Sequence, residues 1–282
     1  MQIIDKLMII KRLTQKITLL LIIAFAFSFS AKAQQFKPNT EIGLLLGTSY
    51  YLGDLNTTHF NQPLPATGLI IRKNIDRRFA YKAEIMYLNI KSDERKSEDT
   101  IAKNRGLHFK SPVYELSGQI EFNFLPFQPE NPLYTWTPFV YTGISIFHYS
   151  PKAENKDGEW IDLQPLGTEG QGTTLFPDKK KYSLIQYSIA MGGGFKIAVN
   201  PSFNIILEYG ARKTFTDYLD DVSTTYPGTL KDMTPEATYM SDPLGTHSKN
   251  MERGNPDKKD WYTFAGITLS FRLSNNTKGC DY

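Results

Sequence analysis

The stretch at residues 112–125 reads PVYELSGQIEFNFL, and apolar and polar side chains alternate through most of its length. Alternate residues of a β-strand lie on the same face, so this period of two predicts a strand. One face is then apolar, with Tyr114, Leu116, Ile120, Phe122 and Phe124, and the other is polar, with Glu115, Ser117, Gln119, Glu121 and Asn123. Such a strand separates an apolar environment from a polar one.

Seven further segments have the composition of strands, so eight strands are predicted in all. Their expected bounds are Glu41–Tyr50, Thr67–Asn74, Arg78–Ile90, Pro112–Leu125, Thr135–Tyr149, Tyr182–Val199, Ser202–Lys213 and Trp261–Leu273.

The connections between these strands alternate between short and long. The short ones are Asn74–Arg77, Pro126–Tyr134 and Asn200-Pro201; the long ones are Tyr51–Ala66, Lys91–Ser111, Ser150–Lys181 and Thr214–Asp260. Bacterial outer-membrane barrels have an even number of strands, short periplasmic turns and long extracellular loops. The sequence therefore predicts an all-β fold, an eight-stranded antiparallel transmembrane β-barrel at residues 34–282, with both termini in the periplasm.

Residues 1–33 have the pattern of a secretory signal peptide. Lys6, Lys11, Arg12 and Lys16 give a positive start, an apolar run follows, and Ala31-Lys32-Ala33 is a small-x-small cleavage site. We expect cleavage after Ala33 and delivery to the outer membrane. The alternative is an uncleaved anchor helix, for which the apolar run is short.

Composition excludes several other classes. No long apolar stretch follows Ala33, which excludes a helical membrane protein. Cys280 is the only cysteine, so neither an internal disulfide nor a CxxC metal site is possible. The net charge of +3 gives no reason to expect nucleic-acid binding. No cofactor is expected.

The polar faces of the strands carry charges of both signs. The interior of an eight-stranded barrel is just filled by side chains, and an unpaired charge there would be costly. We therefore predict a paired polar core without an open pore, formed by Lys82, Glu84, Glu115, Glu121, Lys196, Glu208 and Arg272. Gly192-Gly193-Gly194 indicates a kink, a bulge or a crowded lumen.

Three motifs could carry chemistry, and each has a structural interpretation that is favoured. His148 and Ser150 share a face, as in a lipid-modifying hydrolase, but no orienting acid is identifiable by spacing. Asp217, Asp220 and Asp221 could hold Ca²⁺, although a solvated acidic turn or pairing with Arg212 and Lys213 fits better. The glycine-rich stretch 167–172 is expected to be a loop with special backbone angles. No catalytic or metal residue is predicted.

Several longer strings resemble the PorG family. They are Glu41-Ile42-Gly43 leading to Tyr51-Leu52-Gly53-Asp54, Asn104–Leu107 to Ser111, Glu115-Leu116 to Glu121–Phe124, Asp162–Gly170, Arg212 to Tyr226, and Asp260–Gly266. The resemblance covers essentially all of residues 34–282. It implies an outer-membrane barrel of the type IX secretion system of Bacteroidetes, without known enzyme activity, that associates with a periplasmic ring of the lipoprotein PorK and its soluble partner PorN.

If that ring docks on this chain, the turns are the expected surface. The candidate contact residues are Asn74, Asp76, Arg77, Pro126, Gln128, Pro129, Pro132, Asn200 and Pro201. Two rival functions are a surface-binding barrel that uses its long loops and, less favoured, a lipid A-modifying enzyme that uses His148 and Ser150.

Overall fold

The structure, a computed structural model, describes residues 36–273. The predicted signal peptide and Cys280 lie outside the described residues. The chain divides into one unit that ends at Lys37 and a second that begins at Pro38. The second unit contains all of the described strands and helices.

Eight long strands form a closed barrel. They are β1 (Asn39–Leu52), β2 (Leu64–Asn74), β3 (Phe79–Asp93), β4 (His108–Asn123), β5 (Trp136–Tyr149), β8 (Ile185–Asn200), β9 (Phe203–Thr214) and β10 (Trp261–Leu273). Each is antiparallel to its neighbours, β1 pairs with β10, and β3 pairs with β4, which leaves no free edge among them. The predicted fold is confirmed, with the predicted strands displaced by only a few residues at their ends.

The wall is apolar outside and polar inside. Outward side chains of neighbouring strands are well exposed, among them Leu69 (63%), Ile85 (63%) and Ile144 (75%). The inward positions of the same strands carry buried Lys82 and Glu84. Water-soluble proteins bury their apolar face, whereas a barrel in a bilayer turns it to lipid. The period of two that predicted the strands is therefore also what positions the charges inside.

The two ends of the barrel differ. The turn end carries the connections at residues 75–78, 124–135 and 201–202, and the loop end carries those at 53–63, 94–107, 150–184 and 215–260. The long loops contain a short hairpin, β6 (Lys152–Glu154) with β7 (Trp160–Asp162), and two short helices, α1 (Thr100–Arg105) and α2 (Pro235–Ser241). Within residues 36–273 no helix has the length and apolar character to cross a membrane.

The glycine run of β8 reflects a crowded lumen. A Cβ at Gly192 would lie 2.6 Å from Tyr141 Oη and nearer still to the backbone of β9, and the Cβ of Gly210 would also meet Tyr141. The ring of Tyr141 thus occupies space that only glycine leaves open. The register irregularity of β8 falls later, between Ala198 and Asn200, so crowding is the correct alternative of the three that the sequence left open.

Candidate functional site

An ion-pair cluster around Glu121 fills the part of the lumen next to the turn end. Arg72 donates from Nε and NH2 to the two oxygens of Glu121, at 2.8 and 3.1 Å, and from NH1 to Glu41 at 3.1 Å. Lys196 Nζ lies 2.5 Å from the same Glu121 carboxylate. All four side chains are at most 3% exposed. The bidentate geometry makes this a strong and directional interaction.

The cluster continues along the barrel to the loop end. Lys82 Nζ lies 2.9 Å from Glu208, 3.0 Å from Glu84 and 3.7 Å from Glu121. Arg212 then joins Glu84 at 2.9 Å to Glu115 at 3.2 Å. A single chain of alternating charges therefore runs through the lumen, and side chains fill it. Six of the seven predicted lumen residues belong to this chain: Lys82, Glu84, Glu115, Glu121, Lys196 and Glu208.

Sequence reasoning misplaced one member of this network and missed three. Arg272 points inward but contacts Glu130 of the turn end, so its inclusion in the network was wrong. Arg72, Arg212 and Glu41 were missed, although Arg212 shares its face with Glu208 by a spacing of four in the same strand. This even spacing was the signal in the sequence that could have placed Arg212 in the lumen.

The connection at residues 124–135 crosses the turn end of the barrel. Near β3, Phe127 N donates to Arg77 O at 2.9 Å, and the Arg77 guanidinium lies 5.4 Å from the centre of the Tyr134 ring. Farther along, Glu130 contacts Arg272 of β10. In the closed order of the barrel β10 lies opposite β4, where this connection starts, so the segment must span the mouth. The segment therefore forms a structured floor across the mouth, whereas the sequence predicted only a short connection between two strands.

Backbone hydrogen bonds within the segment fix the shape of this floor. Gln128 N donates to Tyr134 O, and Tyr134 N to Asn131 O, both at 2.9 Å. Phe127 is buried at 5% exposure and anchors the segment. Leu133, in contrast, is 82% exposed, which is the highest exposure of any large apolar side chain in the described part of the chain. This hydrogen-bonded segment therefore leaves Leu133 far more exposed than its other large apolar side chains, Phe124 (49%) and Leu125 (39%).

The other predicted docking residues fall into three groups. Asp76 and Asn200 are exposed at their turns, and each caps two backbone N–H groups with its side-chain oxygen, while Pro201 is exposed beside Asn200. Pro126, Gln128 and Pro129 are half-buried in the floor, and Pro132 is exposed. Asn74 is different, because it is buried in the lumen, where it donates to Glu41 at 2.7 Å. Its side chain is not presented at the surface.

The four long loops pack together as a cap over the loop end. Leu55, Leu107, Leu163 and Leu219, one from each loop, belong to a single buried apolar cluster. Residues of different loops that are far apart in sequence thus share one core. Burial of apolar area is what holds such loops down.

Glu169 is the polar centre of this cap. Its carboxylate accepts from Ser223 N at 2.8 Å, from Thr224 Oγ1 at 2.6 Å and from Arg253 at 3.2 Å, and it is fully buried. The flanking Gly167 and Gly170 have φ of 67° and 84°, a conformation that favours glycine. The expected loop with special backbone angles is confirmed, and it serves to place Glu169.

A second tie joins the first, second and fourth loops. Arg105 donates to Asp54 O at 2.7 Å and to Arg253 O at 2.6 Å, and it pairs with Glu94. Together Arg105 and Glu169 link all four loops by charge-assisted hydrogen bonds, which are stronger than neutral ones.

The acidic run at the start of the fourth loop is buried, so the expectation of a solvated turn, or of pairing with Arg212 and Lys213, was wrong. Tyr51 Oη lies within hydrogen-bond distance of two carboxyls, 2.5 Å from Asp220 Oδ2 and 2.8 Å from Asp260 Oδ1. Burial raises the pKa of both carboxyls well above the usual value, and repulsion adds to it, from Asp54 at Asp220 and from Asp220 at Asp260. Burial also raises the pKa of Asp217 to about 7 and that of Asp221 to about 6.

The structure describes no group of three or more His, Cys, Asp or Glu side chains arranged to hold a metal ion within residues 36–273.

The His148–Ser150 motif is divided between two surroundings. His148 is exposed on the outer wall beside Tyr114, whereas Ser150 Oγ donates to Asp162 at 2.8 Å. The backbone N–H of Ser150 donates to Ser111 Oγ of β4 at 3.0 Å, so neither of these two contacts of Ser150 is with His148.

A closed barrel with an apolar outer wall, a charged interior and two unequal ends defines an outer-membrane β-barrel protein. The sequence matches the family described as a domain of unknown function (DUF6089) over residues 15–164 and 171–282, and the chain belongs to this family. None of the curated proteins compared with the chain matches it.

Solved structures with a similar arrangement of strands are small outer-membrane barrels. Neisserial surface protein A is 8% identical, with a TM-score of 0.42 over 84% of this chain and 100% of that one. The attachment invasion locus protein Ail of Yersinia pestis is 8% identical, with a TM-score of 0.41 and the same coverage. OprG of Pseudomonas aeruginosa is 8% identical, with a TM-score of 0.34 over 83% and 94%. Similarity at this level concerns strand arrangement only.

Proposed function

We propose that this chain is a non-enzymatic outer-membrane component of the type IX secretion system that anchors or positions the periplasmic PorK/PorN ring. The resemblance of its strings to the PorG family supports the system. In outer-membrane barrels the short connections are periplasmic, which assigns the turn end to the ring side.

The observation that carries the proposal is the structured floor at residues 124–135. A connection that only reversed the chain would need two to five residues. This one crosses the mouth, is fixed by internal hydrogen bonds, and exposes Leu133 beside Pro132. An apolar side chain that a hydrogen-bonded segment already holds exposed can enter a pocket of a partner with little further loss of conformational freedom.

The experiment is co-purification of the ring with Leu133→Asp. We expect the variant to recover several-fold less PorK and PorN from mild-detergent outer membranes, because a carboxylate cannot enter an apolar pocket. Leu175→Asp is the matched control, since Leu175 is 52% exposed in the third long loop. Equal recovery with both variants would count against the floor as the docking site.

A surface-binding barrel is a second candidate, favoured by one observation. A polar cleft of about 780 Å³ lies between the first, second and fourth long loops, within the range of ligand pockets. Replacement of Asn61 and Lys96, which line it, by alanine should reduce adhesion of intact cells to a polysaccharide surface. Deletion of residues 91–111 is less informative, because it would also remove Arg105 from the cap.

A further inference from the structure

The outer wall near the loop end is partly covered by the first long loop. Tyr50 and Thr263 point outward from adjacent strands, yet both are completely buried. The cover is the loop tip: Tyr50 Oη lies 3.0 Å from His59 Nδ1, and the ring of Phe60 packs on Tyr50 with centres 5.1 Å apart. The loop forms one side of a groove on the membrane-facing wall.

Cationic side chains form the rim of this groove. Its volume is about 680 Å³, and Lys213, Lys258 and Lys259 line it together with Trp261. Lys213 Nζ lies 5.7 Å from the centre of the Trp261 ring, and Lys259 Nζ donates to Pro256 O at 2.6 Å. All three lysines are exposed. Aromatic rings at this height mark the interface between acyl chains and headgroups.

Two carboxylates also line the groove, but the three lysines outnumber them, so the net charge of the lining is positive. Asp54 is turned towards the cap, where Oδ2 accepts from Asn255 N at 2.9 Å. Asp257 is exposed at the rim. Below the lysines the lining changes to Tyr209 and Ala211 of the apolar wall. Cations above an apolar slot fit an amphiphile whose anionic group lies at the membrane surface.

We propose that this groove binds a phosphate-bearing glycolipid of the outer leaflet, of the lipid A class, with its phosphate between Lys213, Lys258 and Lys259 and its acyl chain along the wall beside Tyr209. The orientation rests on the proposed function, in which the long loops are extracellular. The binding does not require the secretion ring, so failure of one proposal leaves the other standing.

The test is native mass spectrometry of the full-length purified barrel in mild detergent. Lipid A is added with its phosphates or after enzymatic dephosphorylation. We expect the phosphorylated form to bind at least about tenfold more tightly, because each lysine near an anionic membrane surface contributes roughly fivefold to affinity. Excess inorganic phosphate should not displace it, since the acyl chain supplies part of the binding.

Matched variants locate the site. Lys213→Gln, Lys258→Gln and Lys259→Gln combined should lose the preference, and the corresponding arginine triple should keep it. The control combines Lys103→Gln, Lys156→Gln and Lys180→Gln, three exposed lysines in the second and third long loops. Heat-modifiable migration on a gel verifies that each barrel is folded. Equal binding by the glutamine triple and the control, equal binding of dephosphorylated lipid, or displacement by inorganic phosphate would each overturn the proposal.

Discussion

Replacement of Arg212 by methionine tests the charged interior most sharply. The guanidinium lies 2.9 Å from Glu84 and 3.2 Å from Glu115, and it is completely buried. Methionine keeps much of the length and volume of the side chain but removes the charge and the donors. The expected loss of stability therefore comes from electrostatics and not from a cavity.

The structure sets the size of the effect. Glu84 retains Lys82 at 3.0 Å, whereas Glu115 is left with the hydroxyl of Tyr262, which donates to it at 2.6 Å. Breaking a buried pair by removing one partner costs about 3–5 kcal/mol of unfolding free energy. With one of two carboxylates left without a cation, we expect the lower part of that range. Adding Glu115→Gln should recover about 1–2 kcal/mol of coupling, because it neutralises that carboxylate.

The assay is urea unfolding in phospholipid vesicles, followed by tryptophan fluorescence and by heat-modifiable migration. Arg95→Met is the control, since its pair with Asp93 at 2.8 Å is 46% exposed on the arginine side. Exposed pairs contribute about 0–1 kcal/mol. An Arg212→Met loss no larger than that of Arg95→Met, or no recovery in the double variant, would refute the reasoning.

Three further predictions concern the closed ends. Glu169→Ala should open the cap, raising cleavage of the fourth long loop by added protease about tenfold or more while the barrel remains folded, because several donors lose their acceptor; unchanged cleavage would contradict this. The pKa values of Asp217 and Asp221, about 7 and about 6, lie above their usual 3.8, so the closed cap keeps protons that an open cap releases. Closing is then strongest near pH 4 and weakens as pH rises to about 7, which spin labels on the loops should report, and Asp217→Asn should reduce the change. Since side chains fill the lumen, a planar bilayer should show no stable large conductance, and such a conductance would exclude the filled interior.

The barrel was predictable because inward and outward side chains alternate along the strands of its wall. The alternation of β4 fixes which side each residue faces, and the connection lengths then fix the strand order. Arg72 was missed because Ile70 and Ile71 precede it and hide the alternation of β2, although Ile70 is in fact buried inside.

The cap and the floor have no such periodicity. Tyr51 meets Asp220 and Asp260 across sequence separations of 169 and 209 residues, and no local pattern encodes such a contact. The acidic run was therefore interpreted as a solvated turn on composition alone. Similarly, the contact of Glu130 with Arg272 depends on β10 standing opposite β4, which only the closed barrel establishes.

Photo-crosslinking from Leu133 is the most direct measurement of the central claim, that the floor at the turn end docks the periplasmic ring. A benzophenone amino acid at this position, irradiated in intact cells, should give an adduct with PorK or PorN, while the same residue at position 175 should give none. Absence of a ring adduct from position 133 in a folded barrel, or an equal adduct from position 175, would contradict the account.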